Sequence, residues 1–170
     1  ALGALLGLAY AARRLDHNGE PTKLMRGGLI VGLVAFPAVI FSAPLGSALL
    51  FFIGALLIGF GAGLFSVATL ILAMTIPISG IAGRGLAIGA WGAAQATAAG
   101  ISIALGGFLR DFINYHAMRG SLGEALATPA TGYSFVYHSE IFLLFLTLAI
   151  LGPLVRSARQ TSPTQKGAAR

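Results

Sequence analysis

Charged residues are so sparse along this chain that they divide it into long apolar segments. No charged side chain occurs between Arg26 and Arg84, or between Arg84 and Arg110. About 20 apolar residues cross a bilayer as a helix, and Pro44 and Gly46 supply helix breakers within the first interval. The pattern predicts five membrane spans, the first of them incomplete: residues 1–12, 27–43, 46–76, 85–109 and 139–155.

The predicted spans must be helices, because lipid cannot satisfy free backbone groups and the segments lack the alternating polarity of barrel strands. Composition agrees: 56% of the residues are hydrophobic, 24 are glycines, and only 9% are charged. A typical soluble domain has about 25% charged residues, so this chain cannot form a water-soluble surface. We predict an all-α integral membrane protein. Because the sequence opens in the middle of an apolar run, we also expect it to be a fragment of a longer chain.

The basic residues favour one side of the predicted membrane. Nine of the eleven lie in the connections 13–26, 77–84 and 156–170, and Arg110 and Arg119 lie in the opposite connections, 43–46 and 110–138. Lys and Arg accumulate in cytoplasmic connections, so we expect the C-terminus to be cytoplasmic and residues 110–138 to be external. Residues 157–170 contain no apolar run, so they are predicted to form a basic, disordered cytoplasmic tail.

Small residues recur at helical spacing in two of the spans. Helices in lipid associate by close packing, and small side chains allow that approach. In span 85–109 they form a single face: Gly85, Gly89, Gly92, Ala96, Gly100 and Gly107. Span 46–76 has one stripe of Gly59, Gly63 and Ser66 and another, on the opposite side, of Gly54, Gly61 and Ala68. We predict that these are helix-packing faces and that span 46–76 is contacted from two directions.

None of the predicted spans has a charged residue near its centre, and Gln95 is the most polar central side chain. Trp91 and Ser102 share its flank of the helix. Two interpretations are open. Gln95 could form a hydrogen bond to another helix, or the three side chains could face a ring-shaped or amphipathic ligand or a partner helix. Glu140 is predicted to lie at the external mouth of the last span.

Residues for catalysis or metal binding do not stand out. Cysteine is absent, which excludes disulfides and thiolate metal sites, and no paired carboxylates, nucleophile elbow or phosphate loop appears. The histidines His17, His116 and His138 are predicted to lie in loops or at a membrane edge. The basic residues have no interleaved aromatic face of the kind that binds nucleic acid. We therefore predict no enzyme activity, no metal site and no nucleic-acid partner.

Two segments resemble known proteins. The loop ARRLDHNGEPTK resembles the short basic loop of the major facilitator superfamily, and the five spans match helices 8 to 12 of that fold. The strings GRGLAIGAWGAAQATAAGISIALGGFLRD and GYSFVYHSEIFLLF are similar to the C-terminal half of the PucC/LhaA family of phototrophic bacteria, and the resemblance extends over residues 1–156. By this resemblance, the signature includes Gly89, Trp91, Gly92, Gln95, Ala96 and Gly100.

The resemblance implies a role in photosynthesis. It suggests an assembly factor or accessory subunit of light-harvesting and reaction-centre complexes, which delivers bacteriochlorophyll or assists antenna insertion in the intracytoplasmic inner membrane. Its partners would be light-harvesting polypeptides, the reaction-centre core and membrane lipids, and its ligands bacteriochlorophyll and carotenoid. Two other functions stay open: a small-solute transporter of the facilitator type and, ranked last, a pigment-processing enzyme.

Overall fold

A computed structural model describes residues 1–17, 19–75 and 81–160. This part of the chain contains five α-helices, one short 3-10 turn over Glu124–Leu126 and no β-strand. The α-helices are α1 (Leu2–Asp16), α2 (Pro21–Ser42), α3 (Ala48–Met74), α4 (Ile81–Met118) and α5 (Ala130–Gln160). The predicted all-α fold is confirmed.

Four of these helices are long and apolar enough to cross a membrane. They are α2, α3, the part of α4 from residue 85 to 118, and the part of α5 from residue 130 to 153. Helix α1 has 15 residues, which corresponds to about 22 Å and is shorter than a hydrocarbon core of about 30 Å. It occupies the position of the predicted incomplete span. The chain is therefore a multi-pass membrane protein.

The tight turn between α2 and α3 forms where the sequence predicted it. Gly46 adopts a φ of 58°, a left-handed conformation that favours glycine because it has no Cβ. Ser47 then caps α3, since its hydroxyl oxygen accepts a hydrogen bond from the backbone N–H of Leu50 at 3.3 Å. This cap satisfies one of the free N–H groups at the start of the helix.

The connection predicted over residues 110–138 is wrong in length. Helix α4 continues to Met118 and α5 begins at Ala130, which leaves only residues 119–129 between them. Polar residues within the predicted connection pair across the two helices instead. Asn114 Oδ1 accepts a hydrogen bond from the Gly132 backbone N–H at 2.8 Å, and Arg110 Nη1 donates to the Tyr133 hydroxyl at 2.9 Å.

The predicted disordered tail needs a similar correction, because α5 runs through Gln160 and its residues 157–160 are helical. Hydropathy locates the apolar part of a helix and does not detect a polar extension of the same helix. Residues 161–170, which form the rest of the predicted tail, lie outside the described part of the chain.

Helix α3 is the centre of the packing, with α1 and α2 on opposite sides. A Cβ added to Gly61 would lie 2.6 Å from the Gly28 carbonyl oxygen of α2, and one added to Gly63 would lie 2.6 Å from the Ala4 carbonyl oxygen of α1. Backbones this close require glycine. The glycines of the two predicted stripes on α3 therefore lie against different helices, Gly54 and Gly61 against α2 and Gly59 and Gly63 against α1. The buried core comprises Ala11, Leu24, Met25, Leu64 and Ala68.

Consecutive long helices run antiparallel. In α2 and α3, Gly28 lies against Gly61 and Ala35 lies against Gly54, so residue numbers increase along α2 where they decrease along α3. The same reversed order joins α3 to α4 through Thr69 with Trp91 and Ser66 with Gln95, and α4 to α5 through Gly106 with Val136 and Arg110 with Gly132. Residues 43–47 and 119–129 thus lie at one end of the bundle, as the predicted alternation of spans requires.

The orientation of this bundle can be tested by cysteine labelling, because the protein has no cysteine of its own. Ser121 and His17 are both exposed, at opposite ends. From the excess of basic residues on the His17 side, we expect a membrane-impermeant maleimide added outside the cell to label Ser121→Cys and not His17→Cys. Labelling of His17→Cys alone would reverse the topology.

Candidate functional site

Helix α4 meets α3 through two side-chain hydrogen bonds. Trp91 Nε1 donates to Thr69 Oγ1 at 3.2 Å, and Gln95 Nε2 donates to Ser66 Oγ at 3.1 Å. The Thr69 hydroxyl hydrogen is directed to the Phe65 carbonyl oxygen at 2.9 Å, so its oxygen is available to Trp91. A hydrogen bond to another helix was one of the two interpretations of Gln95, and the structure contains this bond.

A ligand or partner at the Trp91, Gln95 and Ser102 flank stays a prediction. The two hydrogen bonds use the indole N–H and one amide N–H, while Trp91 and Gln95 remain only half-buried. A ligand there would meet the indole ring and the carboxamide oxygen. Ser102 is exposed and lies about two turns further along α4 than Gln95.

The contribution of Gln95 is expected to be modest. Hydrogen bonds between membrane helices average about 0.6 kcal/mol, so Gln95→Leu should lower the free energy of unfolding by about that amount. If the bond to Ser66 is its whole role, Gln95→Leu will not change the amount of ligand bound per folded protein. Ser66→Ala is the matched variant, and a loss of bound ligand in Gln95→Leu alone would reveal a ligand contact.

The glycine face predicted on α4 is not covered by any helix of the described chain. Apart from the adjoining backbone of α4 itself, no atom lies within 4 Å of a Cβ added at Gly85, Gly89, Gly92, Gly100 or Gly107, and Ala96 is exposed. The Trp91 and Gln95 flank, about a third of a turn away, makes the contact with α3. Polar hydrogens in lipid need an acceptor, and we attribute the orientation of α4 to that need. Gly59 and Gly63 on α3, in contrast, lie close to the backbone of α1 at Ala4.

A cavity of about 920 Å³ lies at the end of the bundle where residues 43–47 and 119–129 meet. We call it the end cavity. The ends of α2 and α4, the starts of α3 and α5, and the 3-10 turn all contribute to it. Its main apolar lining is Val39, Ile40, Phe51, Leu122, Leu126 and Phe135, and its polar lining is Ser42, Thr128, Thr131, Tyr133, Ser134, Tyr137 and His138.

Several polar groups of the end cavity are bonded within the protein. The Ser42 hydroxyl donates to the Val39 carbonyl oxygen at 2.6 Å, and the Thr131 hydroxyl donates to the Leu126 carbonyl oxygen at 2.7 Å. The Tyr133 oxygen accepts from Arg110. These bonds fix the wall of the cavity, and they leave its surface predominantly apolar.

His138 differs from these groups because it offers a basic nitrogen. Its Nδ1 lies 2.7 Å from the Ser134 carbonyl oxygen. A carbonyl oxygen only accepts, so Nδ1 must carry the hydrogen, and in the neutral ring Nε2 then bears a lone pair. The side chain is exposed. His138 was predicted to lie in a loop or at a membrane edge. The loop is ruled out, because His138 lies on α5, eight residues after the helix begins.

The other two residues predicted at an edge also lie on helices. His116 lies in the last turn of α4, where its ring centroid is 4.5 Å from the Phe112 ring centroid. Glu140 is half-buried and lies ten residues after the start of α5 at Ala130. His17, at the end of α1, is at the edge as predicted.

Comparison with known proteins identifies the family. The model of the family described as "PUCC protein" matches residues 1–159. The chain belongs to the PucC family. It is 51% identical over 92% of its length to "Uncharacterized protein in puhA-bchM intergenic region" of Rhodobacter capsulatus, and 39% identical over 92% of its length to "Protein PucC" of Cereibacter sphaeroides.

The PucC-family relatives are considerably longer than this chain. Each of the two alignments covers 32% of the relative's length, so the chain spans about a third of the curated relatives that it matches. "Protein PucC" of Rhodovulum sulfidophilum is 48% identical over 65% of the chain and 24% of its own length. No solved structure matches the chain. The resemblance to PucC in the GAWGAAQATAAG region and beyond is confirmed.

Proposed function

We propose that this PucC-family chain is part of an assembly factor or accessory subunit of photosynthetic light-harvesting and reaction-centre complexes. It assists bacteriochlorophyll delivery or antenna insertion in the intracytoplasmic inner membrane. The observation that carries the proposal is the family match over residues 1–159. The excess of basic residues on the His17 side supports a cytoplasmic C-terminus.

The outer surfaces of α4 and α5 support an association with other apolar helices. Phe108 is 68% exposed, Phe142 67% and Ile103 77%, and the glycine face of α4 is open as well. In a membrane, large apolar side chains face lipid or a partner helix, and a small-residue face permits close helix contact. Single-span antenna polypeptides have the chemistry to occupy such surfaces.

Cross-linking in a phototrophic host tests this proposal. We expect the tagged protein, cross-linked in intact membranes and purified, to carry antenna polypeptides identifiable by mass spectrometry. An unrelated multi-pass protein with the same tag and abundance is the control. Recovery of antenna polypeptides no greater than in that control would contradict the proposal.

Small-solute transport is the second candidate, and Glu140 favours it. A carboxyl group within a membrane helix often marks a substrate or proton pathway, and Glu140 lies on α5, a helix long and apolar enough to cross a membrane. If assembly is the function, Glu140→Gln should leave antenna cross-linking within about twofold of the parent, a difference of about 0.4 kcal/mol or less. Proton-driven solute uptake that is abolished by Glu140→Gln would favour transport.

A further inference from the structure

We propose that the end cavity binds a magnesium tetrapyrrole and that His138 supplies the axial nitrogen to the magnesium. This inference rests on the proposed function and extends it, because it assigns a place for the pigment and a residue that ligates it. The carrying observation is the presence of His138, whose Nδ1 lies 2.7 Å from the Ser134 carbonyl oxygen, among the lining residues of a large apolar cavity.

The size and lining of the end cavity suit a large, flat, apolar molecule. Its volume of about 920 Å³ lies near the upper end of the range for small-molecule sites, about 300–1,000 Å³. Phe51, Tyr133, Phe135 and Tyr137 contribute aromatic rings to the lining, and such rings pack favourably against another π-system. An ion or a small polar solute would leave most of this surface without contacts.

The hydrogen bond from His138 prepares the ring for metal binding. Ligating histidines commonly donate their second ring N–H to a carbonyl or carboxylate, which fixes the tautomer and the ring orientation. His138 already does this through Nδ1 and the Ser134 carbonyl oxygen. Nε2 is then the nitrogen available to an electron-pair acceptor.

One histidine nitrogen is too few ligands for a bare metal ion. It suits a metal ion whose other ligands are supplied by a bound macrocycle. No group of three or more His, Cys, Asp or Glu residues that could hold a bare metal ion occurs within the described part of the chain. Magnesium in a tetrapyrrole has its equatorial positions filled by the macrocycle and needs only an axial donor, the role that histidine has toward haem iron. The donor set therefore fits a metallated macrocycle.

His116 provides an internal comparison. Its Nδ1 lies 2.9 Å from the Phe112 carbonyl oxygen, so it has the same tautomer as His138. It is not among the residues that line the end cavity, and its ring packs against Phe112 and Tyr115. The hydrogen bond alone is a common helical feature, and the cavity is what distinguishes His138.

The test uses the full-length protein in mild detergent, titrated with bacteriochlorophyll and with bacteriopheophytin, which has the same ring and tail without magnesium. We expect the parent protein to bind the magnesium form at least about tenfold more tightly. His138→Ala should abolish this preference by weakening only the magnesium form. His116→Ala should retain it.

Filling the cavity tests the location independently of the ligand. Ala125 lines the end cavity and is exposed in the 3-10 turn, so Ala125→Trp should weaken both pigments without disturbing the helices. Ala127 is exposed nearby and does not belong to the lining. Ala127→Trp is therefore the matched control and should leave both affinities unchanged.

Three outcomes would overturn the assignment: a magnesium preference that survives His138→Ala, pigment binding that Ala125→Trp does not weaken, or a parent protein that binds only membrane lipid. In each case, antenna cross-linking by the parent would show that the proposed function stands and only this site fails. Absence of cross-linking to antenna polypeptides would instead reject the function.

Discussion

Gly61→Leu is expected to abolish the folded protein, whereas Gly89→Leu should leave its yield nearly unchanged. A Cβ at Gly61 would lie 2.6 Å from the Gly28 carbonyl oxygen, far inside van der Waals contact with backbone atoms that cannot rotate away. Overpacking commonly costs about 1–3 kcal/mol and occasionally more. We expect the upper end here, because α2 and α3 would have to separate along their length.

Gly89→Leu controls for the loss of glycine itself. Both positions lie in the interior of a membrane helix, but no atom lies within 4 Å of a Cβ at Gly89. Monodisperse yield after detergent extraction, measured by fluorescence size-exclusion chromatography, compares them directly. Equal loss in the two variants would show that the open face of α4 is covered in the full-length protein, and equal tolerance would contradict the packing of α2 on α3.

The second large effect is expected at the junction of α4 and α5. A Cβ at Gly132 would lie 2.5 Å from the Arg110 carbonyl oxygen and 2.7 Å from Asn114 Oδ1. Gly132→Leu should therefore push the start of α5 away from α4 and break the bond from the Gly132 N–H to Asn114. Because both helices line the end cavity, this substitution should lower bound pigment as well as stability.

Gly106→Leu is the matched variant, since it changes a glycine in the same helix pair. A Cβ at Gly106 would meet only a Val136 methyl group at 3.9 Å, which is ordinary contact. We expect Gly132→Leu to lower the midpoint of thermal unfolding and the pigment content, and Gly106→Leu to change both much less. Equal changes in thermal stability and pigment content in the two variants would contradict the close contact of Gly132 with α4.

Much of the fold could be predicted because backbone polar groups in a bilayer must be hydrogen-bonded within the protein. The charge-free intervals between Arg26, Arg84 and Arg110 leave helices as the only solution, and Pro44 and Gly46 mark the turn. The two stripes on α3 were also predictable, since close packing in lipid selects small residues. The residues against which these stripes pack could not be predicted, because they depend on how the helices are arranged in three dimensions.

The candidate site was harder to predict. Gln95 signalled a polar contact, but its acceptor Ser66 lies 29 residues away. The hydrogen bonds of Trp91 and Gln95 turn their side of α4 toward α3. The glycine face of α4 therefore does not make the helix contact that its small residues predicted. His138 was missed because hydropathy began the last span at residue 139, whereas the helix begins at Ala130. The end cavity is formed by distant segments and has no sequence signature.

The proposed bacteriochlorophyll delivery requires this PucC-family protein to carry the pigment. The most direct measurement is the molar ratio of bacteriochlorophyll to full-length protein, purified from a phototrophic host after free antenna complexes have been removed. We predict a reproducible ratio of about one pigment per protein or more, consistent with a cavity in the range of about 300–1,000 Å³ for bound molecules. A ratio no higher than that of an unrelated multi-pass protein from the same membranes would contradict the proposed pigment delivery.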